Sequence, residues 1–363
     1  MPIEIESPEQ MGYANLDCNL TESSFADASI DDLALDLSGL TVAYTDHVGH
    51  PGLRQLLAEQ SAVGTDDILL VSGAAAGLFI IATSLLEAGD HLLVVRPNYA
   101  TNIETPRAIG ADIDFLDLRF ESGWRVDLDE LERRLRPATK VVSLTCPHNP
   151  TGTMMSGDEL RSVIAIVERH GARLVFDETY REMSFPAALP VAASLSDRVI
   201  SVSSVSKTYG LPGLRMGWVI TRDTVLMETF LAAKEQIFIC NSIVDEEITF
   251  QALGRKATTL PSIRGRIEAH RSIVTDWFAQ QDDLEWVVPT GGVVCFPRLR
   301  ADRDIDVERF YSVLNDELKT FVGPGHWFEQ PRSYMRIGFG WPSTDELERG
   351  LANISVAAAA AYA

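Results

Sequence analysis

SVSSVSKTYGLPGLRMGWVI, residues 201–220, sets the terms for the rest of the chain. The run VISVSS (199–204) reads as a buried strand, and MGWVI (216–220) reads as another. Between them lie serines, one lysine and a glycine-rich turn. Lysine is scarce, since Lys207 is accompanied only by Lys140, Lys234, Lys256 and Lys319. An amine just past a strand end, with Arg215 close in sequence, is placed to be desolvated beside another cation. That lowers its pKa and makes it a nucleophile toward carbonyls. A surface lysine in a loop is the alternative, and the serines and GLPG weigh against it.

Outward from this stretch the same rhythm recurs. ILLVS (68–72), HLLVV (91–95), IDFLDL (113–118), VVSLT (141–145) and RLVFD (173–177) read as strands. Helices are expected at 52–60, 74–89, 100–109, 127–135 and 158–170. Apolar runs with little alternation, separated by helices, predict an α/β fold with a mostly parallel sheet covered on both faces. Past residue 222 the pattern changes. Helices are expected at 223–235, 241–254, 261–281, 306–317 and 344–360, with shorter strands at 284–288, 292–296 and 333–338. This predicts an irregular N-terminal arm (1–40), a large domain (41–260) and a small α+β domain (261–363).

Ligands of such sheets sit beyond the carboxyl ends of the strands. In VSGAAAGL (71–78) a strand runs into small residues that open a helix, which suits a phosphate on the N–H groups of Ala74 and Ala75 or simple tight packing. In RPNYATN (96–102), Tyr99 stands where an aromatic can stack on a planar ring or fill the rim of the core. LTCPHNPTGTMMS (144–156) is a rigid turn that presents the amide of Asn149. In VFDETYREM (175–183), Asp177 closes a buried strand and Tyr180 follows. A carboxylate there is costly unless it meets a cation or donors, or caps a helix.

Composition narrows the classes. The 363 residues carry a net charge of −21, which disfavours nucleic acid and anionic membrane as partners. The one dense basic cluster, Arg133, Arg134 and Arg136, lies among acidic residues and reads as a solvated helix face. Cys18, Cys146, Cys240 and Cys295 are widely spaced and read as reduced thiols of a cytoplasmic protein. No signal peptide or membrane span is expected. Metal-binding His-Glu-x-x-His, Gly-x-Ser-x-Gly and Gly-Lys-Ser/Thr phosphate-loop motifs are absent from the sequence.

From about residue 40 onward the motifs, taken in order, resemble the class I/II pyridoxal-phosphate aminotransferases of fold type I. They are Tyr44…Gly49, SGAAAGL, Asn149-Pro-Thr-Gly, Asp177-x-x-Tyr180, Ser204-x-x-Lys207 and Arg215. The resemblance implies pyridoxal 5′-phosphate as cofactor, held by Lys207 as a Schiff base. It further implies that the freed Lys207 amine moves the proton of the substrate α-carbon. Asp177 would keep the pyridine nitrogen protonated, Tyr180 and Asn149 would bond the ring's phenolic oxygen, and Tyr99 would stack on the ring. Ala74, Ala75, Ser204 and Arg215 would hold the phosphate, joined by Tyr44 of a neighbouring subunit, which implies a homodimer with shared sites. Arg336, in YMRIGFG (334–340), would clamp the substrate α-carboxylate with two parallel bonds, and GPGHWF (323–328) would line the entrance. The implied substrates are an L-amino acid and a 2-oxo acid.

Some positions depart from the family pattern. Ala75 stands where relatives often carry a hydroxyl. Cys146 and His148 flank Asn149, and His148 reads as a turn residue or a substrate contact. The resemblance implies that the arm (1–40) contributes to the small domain and the active site; its motif NLTESS (19–24) matches no subgroup, and substrate choice is expected to reside in 13–24 and 323–328. The same scaffold also supports lyase, cyclase and oxidase chemistry of the capreomycidine-synthase kind. A regulator of transcription built on this fold would need a DNA-binding domain, which neither the N-terminal sequence nor the charge suggests.

Overall fold

The structure, a computed structural model, describes residues 10, 16–185 and 187–362. Of the expected arm, residues 1–9 and 11–15 lie outside the described residues, as do residues 13–15 of the expected specificity segment.

Seven strands form one sheet: β2 (Ile68–Val71), β3 (His91–Arg96), β4 (Asp112–Asp117), β5 (Thr139–Thr145), β6 (Arg173–Asp177), β7 (Val199–Ser204) and β8 (Gly217–Ile220). Their order is β2-β8-β7-β6-β5-β3-β4, and β8 alone runs antiparallel to its neighbours. Helices α1 (Pro51–Ser61), α2 (Gly73–Leu85), α3 (Thr101–Ile109), α4 (Leu128–Arg134) and α5 (Gly157–Arg169) alternate with the early strands. Successive residues of one strand serve opposite cores, as a twice-covered sheet requires. Leu93, Val142 and Leu174 pack with Leu131 and Leu160 of α4 and α5. Leu92, Val141 and Val175 pack with Leu78 of α2 and Ile103 of α3. The start of α5 is fixed by a reciprocal cap, in which Glu159 N donates to Ser156 Oγ at 3.2 Å and Ser156 N donates to Glu159 Oε2 at 2.7 Å.

Helices α6 (Thr224–Phe238), α7 (Ile243–Gly254) and α8 (Lys256–Phe278) lead to the second half. There β1 (Cys18–Leu20), β10 (Val294–Cys295), β12 (Thr320–Pro324) and β13 (Met335–Gly338) form a four-stranded sheet of order β1-β12-β13-β10. A separate pair joins β9 (Leu284–Glu285) to β11 (Arg298–Leu299). Helices α9 (Val307–Tyr311) and α10 (Thr344–Ala361) cover this half.

The elements of the large sheet follow the sequence expectation closely, and the second half departs from it in several places, the unexpected short strand β11 among them. The arm contributes β1, which pairs in parallel with β12, a strand the sequence pattern did not predict. The helix expected at 306–317 is α-helical only to Tyr311 and continues as a π-helix over Ser312–Glu317. Helix α8 starts before Pro261 rather than at it. Its first turn is anchored by Lys256 Nζ, which donates to Glu182 Oε1 at 2.7 Å and to Gln60 Oε1 at 3.2 Å. Among the described residues no helix is long and apolar enough to cross a membrane.

Candidate functional site

The site lies beyond the carboxyl ends of β3, β5, β6 and β7, which are parallel neighbours with Thr145 opposite Asp177 and Asp177 opposite Val202. Each strand therefore delivers its following residue to one rim: Tyr99 after β3, Asn149 after β5, Asp177 at the end of β6 and Lys207 after β7.

Asp177 is 6% exposed. Its Oδ1 accepts from Thr179 N at 3.0 Å and from Thr179 Oγ1 at 2.6 Å. Burial pushes its pKa up, while the Thr179 bonds and the nearby Lys207 cation pull it down. Thr179 was not singled out from the sequence, although a threonine two residues past a buried aspartate is the signal of such a turn. Tyr180 is buried, and its phenol is raised by that burial and lowered by the charge of Arg336, so it stays protonated at neutral pH. Tyr99 is partly exposed beside it, and its backbone N–H donates to Asn98 Oδ1 at 2.8 Å.

At the other edge, α2 begins at Gly73 with no side chain capping its first turn. A Cβ on Gly73 would lie 2.7 Å from Arg215 Nη2. A Cβ on Gly217, paired with Ser204, would lie 2.7 Å from Ala74 N. Two glycines thus bring uncapped amides, a hydroxyl and a guanidinium to one spot, a donor set suited to a phosphate. A carboxylate across the rim from this cradle suits a protonated ring nitrogen. The residues present therefore fit the expected cofactor.

The loop after β5 is pinned on both sides. Gly152 N donates to His148 O at 2.7 Å, and Thr290 N and Gly291 N donate to Gly152 O at 2.8 and 2.9 Å. His148 is buried, shares a bond between Nδ1 and Thr151 Oγ1 at 2.8 Å, and is pushed by burial down to about 4. It is a neutral residue holding the turn. Burial likewise pushes the Cys146 thiol up to about 12, which keeps it from acting as a thiolate.

Asn149 is 5% exposed and Arg336 9%. Arg336 Nη1 donates to Asn149 Oδ1 at 3.0 Å, and Nη2 donates to the carbonyl of Thr21 at 2.6 Å. The Phe328 ring lies under the guanidinium, 5.0 Å from its carbon. With Oδ1 given to Arg336, the Asn149 Nδ2 group is the donor left for a second partner. Thr21 and Phe328 escaped the sequence reading as individual residues, although NLTESS and GPGHWF were both noted.

Lys207 is half-buried, and its carbonyl accepts from Phe25 N at 2.8 Å. Tyr44 is 81% exposed, so it encloses nothing within its own chain. Among the described residues no three His, Cys, Asp or Glu side chains gather as metal ligands.

Comparisons with known proteins agree with this fold. The family model described as aminotransferase class I and II matches residues 17–354. Capreomycidine synthase of Streptomyces vinaceus is 30% identical over 314 residues, 85% of this chain and 79% of that protein. Arginine–pyruvate transaminase of Pseudomonas aeruginosa is 28% identical over 335 residues, 88% of this chain and 82% of that protein. The crystal structure of a PLP-dependent aminotransferase from Streptococcus suis superposes with a TM-score of 0.90 at 26% identity, covering 97% of this chain and 96% of that one.

Proposed function

The chain belongs to the class I and II aminotransferase family, whose cofactor is pyridoxal 5′-phosphate, and from that premise we propose that it moves the amino group of an L-amino acid to a 2-oxo acid. The observation that carries this reading is Asp177, a buried carboxylate within electrostatic reach of Lys207 at the end of a central strand. The cofactor, when bound, supplies an electron sink for the substrate α-carbon.

The chain's own residues do the rest. Lys207 would hold the cofactor through its amine and would move a proton at the substrate α-carbon. Asp177 would keep the ring nitrogen protonated, and the burial that raises its pKa would also strengthen that pairing. Tyr180 and the Asn149 amide would hold the phenolic oxygen, and Tyr99 would pack against the ring. Ala74, Ala75, Ser204 and Arg215 would hold the phosphate. Arg336, oriented by Asn149, takes the substrate α-carboxylate. Tyr44, exposed on this chain, completes the phosphate site of a second copy in a cytoplasmic homodimer. The division into an arm (1–40), a large domain (41–260) and a small domain (261–363) belongs to the same proposal.

A second reading is favoured by the 30% identity to capreomycidine synthase. In it the same residues serve a lyase, cyclase or oxidase reaction, because all these chemistries start from the same proton removal. A panel of L-amino acids, followed by absorbance of the bound cofactor and identification of products, separates the two. Amino-group exchange that requires a 2-oxo acid supports transamination. Ammonia or a cyclic product formed without one defeats it.

A further inference from the structure

The polar run NLTESS (19–24) is used by no step above, yet it lies across the site. A Cβ on Gly340 would lie 2.7 Å from Ser24 O, and one on Gly338 would collide with Glu22 O. The arm backbone therefore rests on two glycines of the small sheet and its edge. It then crosses to the large sheet, where Phe25 N donates to Lys207 O and Ala28 N to Gly210 O, each at 2.8 Å. Between these anchorages the Thr21 carbonyl meets Arg336 Nη2 at 2.6 Å.

The residue that bears that carbonyl is held by Asn19, through its backbone N–H and its side chain. Asn19 is 2% exposed. Its Oδ1 accepts from Thr21 N at 3.0 Å and from Thr21 Oγ1 at 2.6 Å. Its backbone N–H donates to Glu346 Oε1 at 2.8 Å, at the first turn of α10. The Nδ2 group is buried with no hydrogen-bond partner among the described residues. Aspartate would make the same turn without an orphaned donor. It would also add a buried negative charge to the residue whose N–H bonds Glu346, two positions along the chain from the carbonyl that meets Arg336. Asparagine fixes the turn and leaves the positive charge for the substrate.

We infer that Asn19 is a positioning residue for the substrate carboxylate: it aims the Thr21 carbonyl, which with Asn149 sets the plane of the Arg336 guanidinium. The inference rests on Arg336 being the carboxylate clamp. A guanidinium is planar, so two fixed partners at Nη1 and Nη2 hold its plane, and two parallel bonds to a carboxylate need that plane.

The test uses the holoenzyme. In Asn19→Ala, KM for the amino donor rises about fivefold while kcat stays within about twofold. The dissociation constant of valerate, a carboxylate with no amino group, is read from the absorbance of the bound cofactor and weakens by a similar factor. Asn19→Ser keeps an oxygen that accepts from Thr21 N–H and recovers part of both losses. It also serves as the informative variant if the alanine protein does not fold. An unchanged KM and valerate affinity in a folded Asn19→Ala protein overturns the inference, and so does a fall in kcat with KM unchanged. Arg336→Lys is run in parallel. If it leaves valerate binding intact, the clamp assignment itself is wrong, and that result is distinct from a failure at Asn19.

Discussion

The strand-end residues proposed to hold the cofactor and the arginine proposed to clamp the carboxylate are assembled in opposite ways. Tyr99, Asp177 and Lys207 follow directly from adjacent parallel strands, and their positions are inherited from the register of one sheet. Arg336 is oriented by partners 187 and 315 residues away in sequence, and those partners lie on a loop and on the arm. The charges differ as well. The first end buries two consecutive carboxylates, Asp177 and Glu178, and the second buries a guanidinium. A strand-end site tolerates little change in identity, because each side chain acts directly. A cross-chain site adds a tier of residues that act only by aiming another.

The largest effect expected from breaking this contrast is at Lys207. General acid–base catalysis alone contributes about 10²–10⁴-fold, and the covalent link adds to it. Lys207→Ala therefore reduces turnover below detection and abolishes the absorbance of the covalently held cofactor. Turnover at the parent rate would refute the assignment. Arg336→Ala comes next. Truncating a buried, hydrogen-bonded charge costs roughly 3 kcal/mol, so kcat/KM for α-carboxylate substrates falls about 10²-fold. The loss appears chiefly in KM, and unchanged steady-state kinetics would move the clamp elsewhere.

Gly217→Ala probes the phosphate cradle without touching a functional side chain. The new Cβ lies 2.7 Å from Ala74 N and from Gly73 C, which are backbone atoms that cannot swing away. Overpacking of this kind costs about 1–3 kcal/mol. Cofactor affinity, measured by dialysis and reconstitution, is expected to fall more than tenfold, and an unchanged affinity would show that the first turn of α2 does not seat the phosphate.

The smallest effect concerns Glu178. Its carboxylate is buried, accepts from Ala192 N at 2.7 Å and from Ser201 Oγ, and is pushed by burial from 4.5 up to about 7. The folded state thus binds this proton more tightly than the unfolded state does. Stability from this group is full below about 4.5 and is lost as pH rises to about 7. Glu178→Gln keeps an acceptor and removes the titration, so the variant gains about 3 kcal/mol over the parent at pH 8 and under about 1 kcal/mol at pH 5. His148 contributes the opposite slope, since a folded pKa near 4 against 6.5 gives stability that grows as pH rises across that window. Urea unfolding of both proteins at the two pH values isolates the Glu178 part, and an equal gain at both would rule out its titration as the cause.

The legibility of the sequence divides along the same line. The strand ends, the uncapped start of α2, and the positions of Asn149, Asp177 and Lys207 just past strands were legible because hydrophobic runs mark strands and the rule for parallel sheets directs attention to the residues after them. Arg336 was found only through resemblance to the family. Its supports were not found, because Thr21 acts through a backbone carbonyl that every residue possesses. β1 and β12 are short, and their pairing partners lie some three hundred positions apart, so no local period announces them.

By itself, then, the sequence determined the layering of the large sheet, the chemistry of its rim and, through the motifs that rim carries, the family. The tertiary structure alone decided how the arm joins the small sheet, as β1 paired in parallel with β12. It also decided that Asn149 turns its oxygen to Arg336, and that the Thr21 carbonyl and the Phe328 ring lie against that guanidinium. The reason is physical. Periodicity and strand-end chemistry are written in neighbouring residues, whereas the plane of a side chain is set by whatever the folded chain brings against it.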